Sequence, residues 1–162
     1  MPFTPLHVGP GILIKAILQG SFSLMIFGWS QILMDIQPLV VIATGSGVLH
    51  GFTHTFAFAT VLAAIAVLTG KHLCEWFLRR VDIPQLKISS DIPWSVAIIS
   101  ALLGTYSHVL LDSIMHSDTQ PFCPFFQGNM FLGLISVSAL HISCLVTGAV
   151  GVIGYVLICL KK

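Results

Sequence analysis

His50 and His54 stand four residues apart in the stretch His50-Gly51-Phe52-Thr53-His54, and His108 and Asp112 repeat that interval in His108-Val109-Leu110-Leu111-Asp112. On a helix the interval places both side chains on one face, with ~5–6 Å between Cβ atoms, close enough to share or neighbour a metal ion. A helix one turn longer adds His116 to the second stripe, and Gly104 on the same face permits close approach of another helix. Mixed imidazole and carboxylate donors suit zinc, and also manganese or iron. Asp35 lies inside an apolar block, where a carboxylate is costly and is normally answered by a cation, a metal or a water cavity. The alternative is an interfacial Asp capping a helix end near Pro38.

Other polar residues have two readings each. His7 is a ligand candidate or a helix cap, with Thr4 and Pro5 as ordinary start signals. Asp118 and Gln120 belong to a Pro- and Phe-rich loop, Pro121 to Phe126, that reads as a lid or as an interface anchor. His141 sits within the last apolar block, where Ser138, Ser143 or a carbonyl can satisfy it, and it stays outside the candidate set. There is no GxSxG elbow, no phosphate-cradling GxxxxGK[ST] loop and no pair of glutamates, Glu75 being alone.

The elements that must position these groups are membrane helices. Charged residues make up only 8% of the 162, too few to build a water-soluble surface, against 56% hydrophobic residues arranged in long blocks. Four blocks stand out: Phe22 to Thr44, Phe56 to Gly70, Trp94 to Leu111 and Phe131 to Leu160. A fifth, Gly11 to Leu18, is too short to cross a ~30 Å hydrocarbon core alone and reads as a steep short helix or a re-entrant segment. The expected fold is all-α, a polytopic transmembrane bundle of four or five membrane segments forming a single domain over residues 1–162. A net charge of +1 without a basic, aromatic-interleaved patch argues against nucleic acid as a partner. Cys74, Cys123, Cys144 and Cys159 lack paired spacing and read as small core residues. The N-terminus, without a basic region or a small-residue cleavage site, does not read as a cleaved signal.

Cations set the expected orientation. Lys71, Arg79, Arg80 and Lys87 fall between the second and third long blocks, and Lys161 and Lys162 follow the last, which places these regions in the cytoplasm. Alternation then brings His7, Asp35, His50, His54, His108, Asp112, His116 and Asp118 to the extracytoplasmic face, provided the first short helix crosses. His72 falls with the cations.

Four separated motifs carry a family resemblance: Thr4-Pro5-Leu6-His7 followed by Gly11, Asp35-Ile36-Gln37-Pro38, His50-Gly51-Phe52-Thr53-His54-Thr55, and Gly104-Thr105-Tyr106-Ser107-His108-Val109-Leu110-Leu111-Asp112 leading to Pro121-Phe122. Through them the chain resembles the YdjM-like bacterial membrane-bound metal-dependent hydrolases, along most of its length up to Phe125. The resemblance implies His7, Asp35, His50, His54, His108 and Asp112 as metal ligands. Gln37 stands where the family often has a second acid, and Gly51 follows the first His of the HxxxH stretch where the family offers Arg.

The expectation is a membrane-embedded hydrolase of the inner membrane holding one or two divalent ions, zinc first among them. It would act on a lipid or other phosphoester or ester at the extracytoplasmic surface, with Asp35 or Asp112 as general base when not a ligand. Ligand pairs of the HxxxD and HxxxH type look similar to those of zinc phospholipases C, an analogy of ligand grammar. The alternatives are a non-enzymatic metal-binding or metal-transport protein and an assembly factor with structural histidines.

Overall fold

The computed structural model describes residues 5–81 and 90–161, so Thr4, Lys87 and Lys162 lie outside the described residues. All regular structure among the described residues is helical: α1 (Val8–Leu18), α2 (Leu24–Thr44), α3 (Phe56–Arg80), α4 (Trp94–Met115) and α5 (Val137–Leu160). The last four are long and apolar enough to cross a membrane. With 11 residues, α1 rises only ~16 Å, about half the hydrocarbon thickness. It therefore does not span alone, as its length in sequence suggested.

Helix starts follow capping chemistry. Hydroxyl oxygens of Ser23, Thr55 and Ser136 accept from the backbone N–H groups of Ile26, Phe58 and Ala139, satisfying donors that the first turns of α2, α3 and α5 leave orphaned. α2 ends on Gly45, whose φ of +68° suits a residue without Cβ. The helices do not coincide with the apolar blocks. α3 continues beyond Gly70 to Arg80, with Leu73, Trp76 and Phe77 interleaved among its polar residues. α5 starts at Val137 and not at Phe131. α2 runs through Pro38, which forgoes one intrahelical hydrogen bond; Asp35 is thus mid-helix and does not cap an end.

α2, α3 and α4 form one packed unit. Small residues, Ala63 and Ala66 on α3 with Ala97 and Ala101 on α4, bring the backbones together around Ile26 and Cys74. A Cβ on Gly104 would lie 1.8 Å from Ser30 Oγ and 3.0 Å from the Phe27 carbonyl oxygen, so the helix that approaches Gly104 is α2. Ser23 N–H donates to Ser100 Oγ at 2.8 Å, and Gln31 Nε2 donates to the Gly104 carbonyl at 2.9 Å, which fixes α2 parallel to α4. At the far end Lys71 pairs with Glu75 and donates to the Ile92 carbonyl, while Ile92 N–H donates to Glu75. Glu75, the lone glutamate, thus pins the entry to α4.

α1 packs instead along α5, running parallel to it. A Cβ on Gly9 would fall 2.0 Å from the Cys144 carbonyl oxygen, and one on Gly151 2.5 Å from the Leu13 nitrogen. Lys15 donates to the carbonyls of Gln19 and Phe22, closing the turn from α1 into α2.

Gly151→Ala should lower the thermal midpoint of the detergent-solubilised protein, reflecting ~1–3 kcal/mol of overpacking. Gly154→Ala, whose Cβ would sit 3.7 Å from Ala16 Cβ, should leave the midpoint near that of the parent.

Candidate metal centre

Each helix delivers its polar group from a different local structure. His108 and Asp112 occupy the last turns of α4, one above the other, as their spacing predicted. Asp35 comes from the middle of α2, and His7 from a 3₁₀ turn, Pro5–His7, that leads into α1. His50 and His54 are not on an α-helix: His50 lies in a turn and His54 ends the 3₁₀ segment Phe52–His54 before α3. Their rings nevertheless meet, with centroids 5.1 Å apart, because the tight turn folds the chain back on itself. A Cβ on Gly51 would lie 2.2 Å from Gln37 Nε2, so glycine at that position lets Gln37 occupy the turn.

The side chains converge on one carboxylate. Nε2 atoms of His108, His54, His7 and His50 stand 3.2, 3.3, 3.7 and 3.9 Å from Asp112 oxygens. His108 Nε2 is also 3.5 Å from Asp35 Oδ1. All six of these residues are buried, His54 completely. The triples His7–His108–Asp112, Asp35–His54–His108 and His50–His54–Asp112 each bring their ligand atoms within 4.8 Å of one another and can hold a metal ion.

Hydrogen bonds behind the rings determine which nitrogen carries the proton. Gln31 Nε2 is committed to the Gly104 carbonyl, so its Oε1 faces His108 Nδ1 at 2.6 Å and must accept from it. Gln37 Nε2 donates to the Val48 carbonyl, which turns its Oε1 to accept from both the N–H and the hydroxyl of Thr53. With its hydroxyl proton so used, Thr53 Oγ1 accepts from His54 Nδ1 at 3.0 Å. Asp118 accepts from His50 Nδ1 at 2.9 Å. These bonds select, for the neutral form of all three rings, the tautomer with the proton on Nδ1 and the Nε2 lone pair turned inward toward Asp112.

That arrangement fits a metal. Lone pairs facing a carboxylate repel it in a buried site unless a cation lies between them. Nε2 of His7, His54 and His108 has no hydrogen-bond partner among the described residues. Outer-nitrogen bonds to carboxylate or amide oxygen are the usual support of ligating histidines. Burial holds the His7 pKa down at about 4 against the pull of the Asp112 carboxylate, and burial also lowers that of His54. Both rings are therefore neutral near pH 7, the form that ligates.

His116 departs from the expected stripe. α4 ends at Met115, and the His116 ring stacks on His50 at 4.0 Å, forming a separate triple with His50 and Asp118. Gln31, Gln37 and Thr53 were not among the sequence candidates, and Asp118, placed on the same face, was read only as part of a lid or anchor loop. Gln31 had a readable signal, an amide inside an apolar block four residues before Asp35.

The profile of the YdjM inner membrane protein family matches residues 12–160. The chain belongs to this family. It is an integral inner membrane protein, with four helices fit to span. The match begins after His7, so that residue joins the cluster on geometry. No curated protein and no solved structure matches the chain.

Gln31→Ala should weaken metal binding ~10–100-fold while the protein stays folded, since His108 loses the acceptor that orients it. Gln31→Glu, which retains an acceptor, should bind more tightly than Gln31→Ala. Competition against a chromogenic chelator in detergent measures both; equal affinity for parent and Gln31→Ala would remove the orienting role.

Proposed function

We propose that this member of the YdjM inner membrane protein family is a metal-dependent hydrolase that cleaves a phosphoester or ester bond of a membrane lipid at the extracytoplasmic surface. The observation that carries the reading is the set of Nε2 atoms directed at Asp112, the rings of His50, His54 and His108 each held by a bond to the other nitrogen. His7, His50, His54, His108 and Asp112 would hold the ion, with zinc the first choice and manganese or iron accepting the same donors. The group His50, His116 and Asp118 offers room for a second ion at the rim. When bound, a divalent metal supplies Lewis-acid polarisation of a phosphoryl or acyl oxygen and activation of water near neutral pH.

The chain's own residues do the rest. Asp112, surrounded by imidazoles, acts as a ligand. Asp35 borders both the cluster and the cavity beside α2, a position from which its carboxylate accepts a proton from attacking water. Burial of the cluster excludes bulk water and strengthens each electrostatic contact. Arg79, Arg80 and Lys161 lie at or just beyond the ends of α3 and α5 opposite the cluster, and Lys71 in the same half of α3, which supports an extracytoplasmic site by the positive-inside rule. The loop after α4 leaves Phe125 and Phe126 exposed at the cluster end, and their rings suit anchoring in the headgroup layer.

The test is turnover in proteoliposomes of phosphatidylethanolamine and phosphatidylglycerol, followed by release of headgroup or fatty acid. Chelator should abolish product and zinc should restore it, and Asp35→Asn should slow turnover ~10²–10⁴-fold. Product formation indifferent to chelator contradicts the proposal. Tightly held metal with no product from either lipid would assign the chain to metal binding without catalysis.

A further inference from the structure

A groove of about 550 Å³ runs along α2 from the metal centre toward the cation-bearing end. Its walls are apolar, Leu24, Met25, Trp29 and Ile32 on α2 facing Leu73 and Phe77 on α3. Its polar lining, His7, Gln31 and Asp35, belongs to the cluster or directly supports it. It exists because α1 follows α5, where Gly9 and Gly151 allow backbone contact, and leaves the flank of α2 uncovered.

We infer that this groove seats one acyl chain of a membrane phospholipid, with the headgroup end delivered to Asp35 and the histidines. The inference rests on the reading of the cluster as the centre of a lipid hydrolase and adds how the substrate is held. Polarity is distributed as in a lipid, apolar along the length and polar at one end. From Leu24 to Asp35 the helix rises ~16 Å, long enough to hold most of an extended acyl chain. The volume lies in the range of small-molecule sites, ~300–1,000 Å³. Both walls are membrane-spanning helices, so a chain enters sideways from the bilayer without crossing water.

Gly28 gives the means of testing it. It lines the groove, and a Cβ placed on it meets nothing within 4 Å, so a larger side chain fills the groove without forcing the helices apart. The full chain would be reconstituted in phosphatidylethanolamine and phosphatidylglycerol vesicles carrying a phospholipid with a diazirine near the end of one acyl chain. After irradiation, labelled peptides are identified by mass spectrometry.

Label should concentrate on the peptides bearing Trp29, Ile32 and Leu73 to Phe77, above those bearing Ile153 and Leu157 on the outer face of α5. Gly28→Leu should lose the groove label while keeping the α5 label and the parent's metal content, and Gly28→Ala should retain it. Equal labelling of groove and α5, or groove labelling unchanged in Gly28→Leu, overturns the inference, as does cross-linking to a second copy in place of lipid when a photoreactive phenylalanine analogue replaces Phe77. Labelling requires no turnover, so chelator-insensitive hydrolysis would remove the metal reading and leave the groove result standing.

Discussion

An imidazole lone pair aimed at a carboxylate inside a low-dielectric bundle is repulsive, and this chain aims several at Asp112. Hydrogen bonds donated to Gln31, Thr53 and Asp118 commit the outer nitrogens of His108, His54 and His50, so in the neutral rings the inner nitrogens face Asp112 with their lone pairs. A divalent cation converts the same geometry from repulsion to attraction, with each donor already oriented. The rest of the architecture reads as what is needed to hold that arrangement.

The bundle does so by close backbone approach. Gly104 lets α2 lie against α4, which puts Asp35 and Gln31 beside His108. Gly51 makes room for Gln37, and Gln37 in turn shapes the turn that presents His54. Glycines along α1 and α5 join those helices and set His7 against His108, with ring centroids 5.1 Å apart. Small residues are the natural means here, because lipid offers no hydrophobic drive for helix association and packing must supply it. The same pairing leaves α2 open to the bilayer, so the feature that recruits His7 also creates the groove.

Much of this was legible in the sequence. Long apolar blocks marked the four spanning helices, and their scarcity of charge left no other solvent for them. His108 and Asp112 were readable as a pair because an α-helix does carry them, and Gly104 announced a close neighbour. The rings of the HxxxH stretch do meet, but by another route: a turn closes the distance that a helix was expected to close. Helix ends were less legible, since apolar runs report membrane depth while hydrogen bonding continues through Arg79 and Arg80. The amides Gln31 and Gln37 were missed, and Asp118 was placed on the right face without its role behind His50, because supporting groups follow no fixed spacing; their partners lie up to 77 residues away. Gln37, which stood out only as a missing acid, proves to be the residue that orders the His54 turn.

X-ray absorption at the metal edge of the purified, detergent-solubilised protein tests the central claim most directly. The account predicts bound zinc or a similar divalent ion in a shell of nitrogen and oxygen at ~2.0–2.2 Å with multiple imidazole scattering. None of the cysteines belongs to the cluster, so no sulfur should appear near ~2.3 Å. A sulfur-containing shell, or protein that takes up no metal when zinc is supplied, would contradict it.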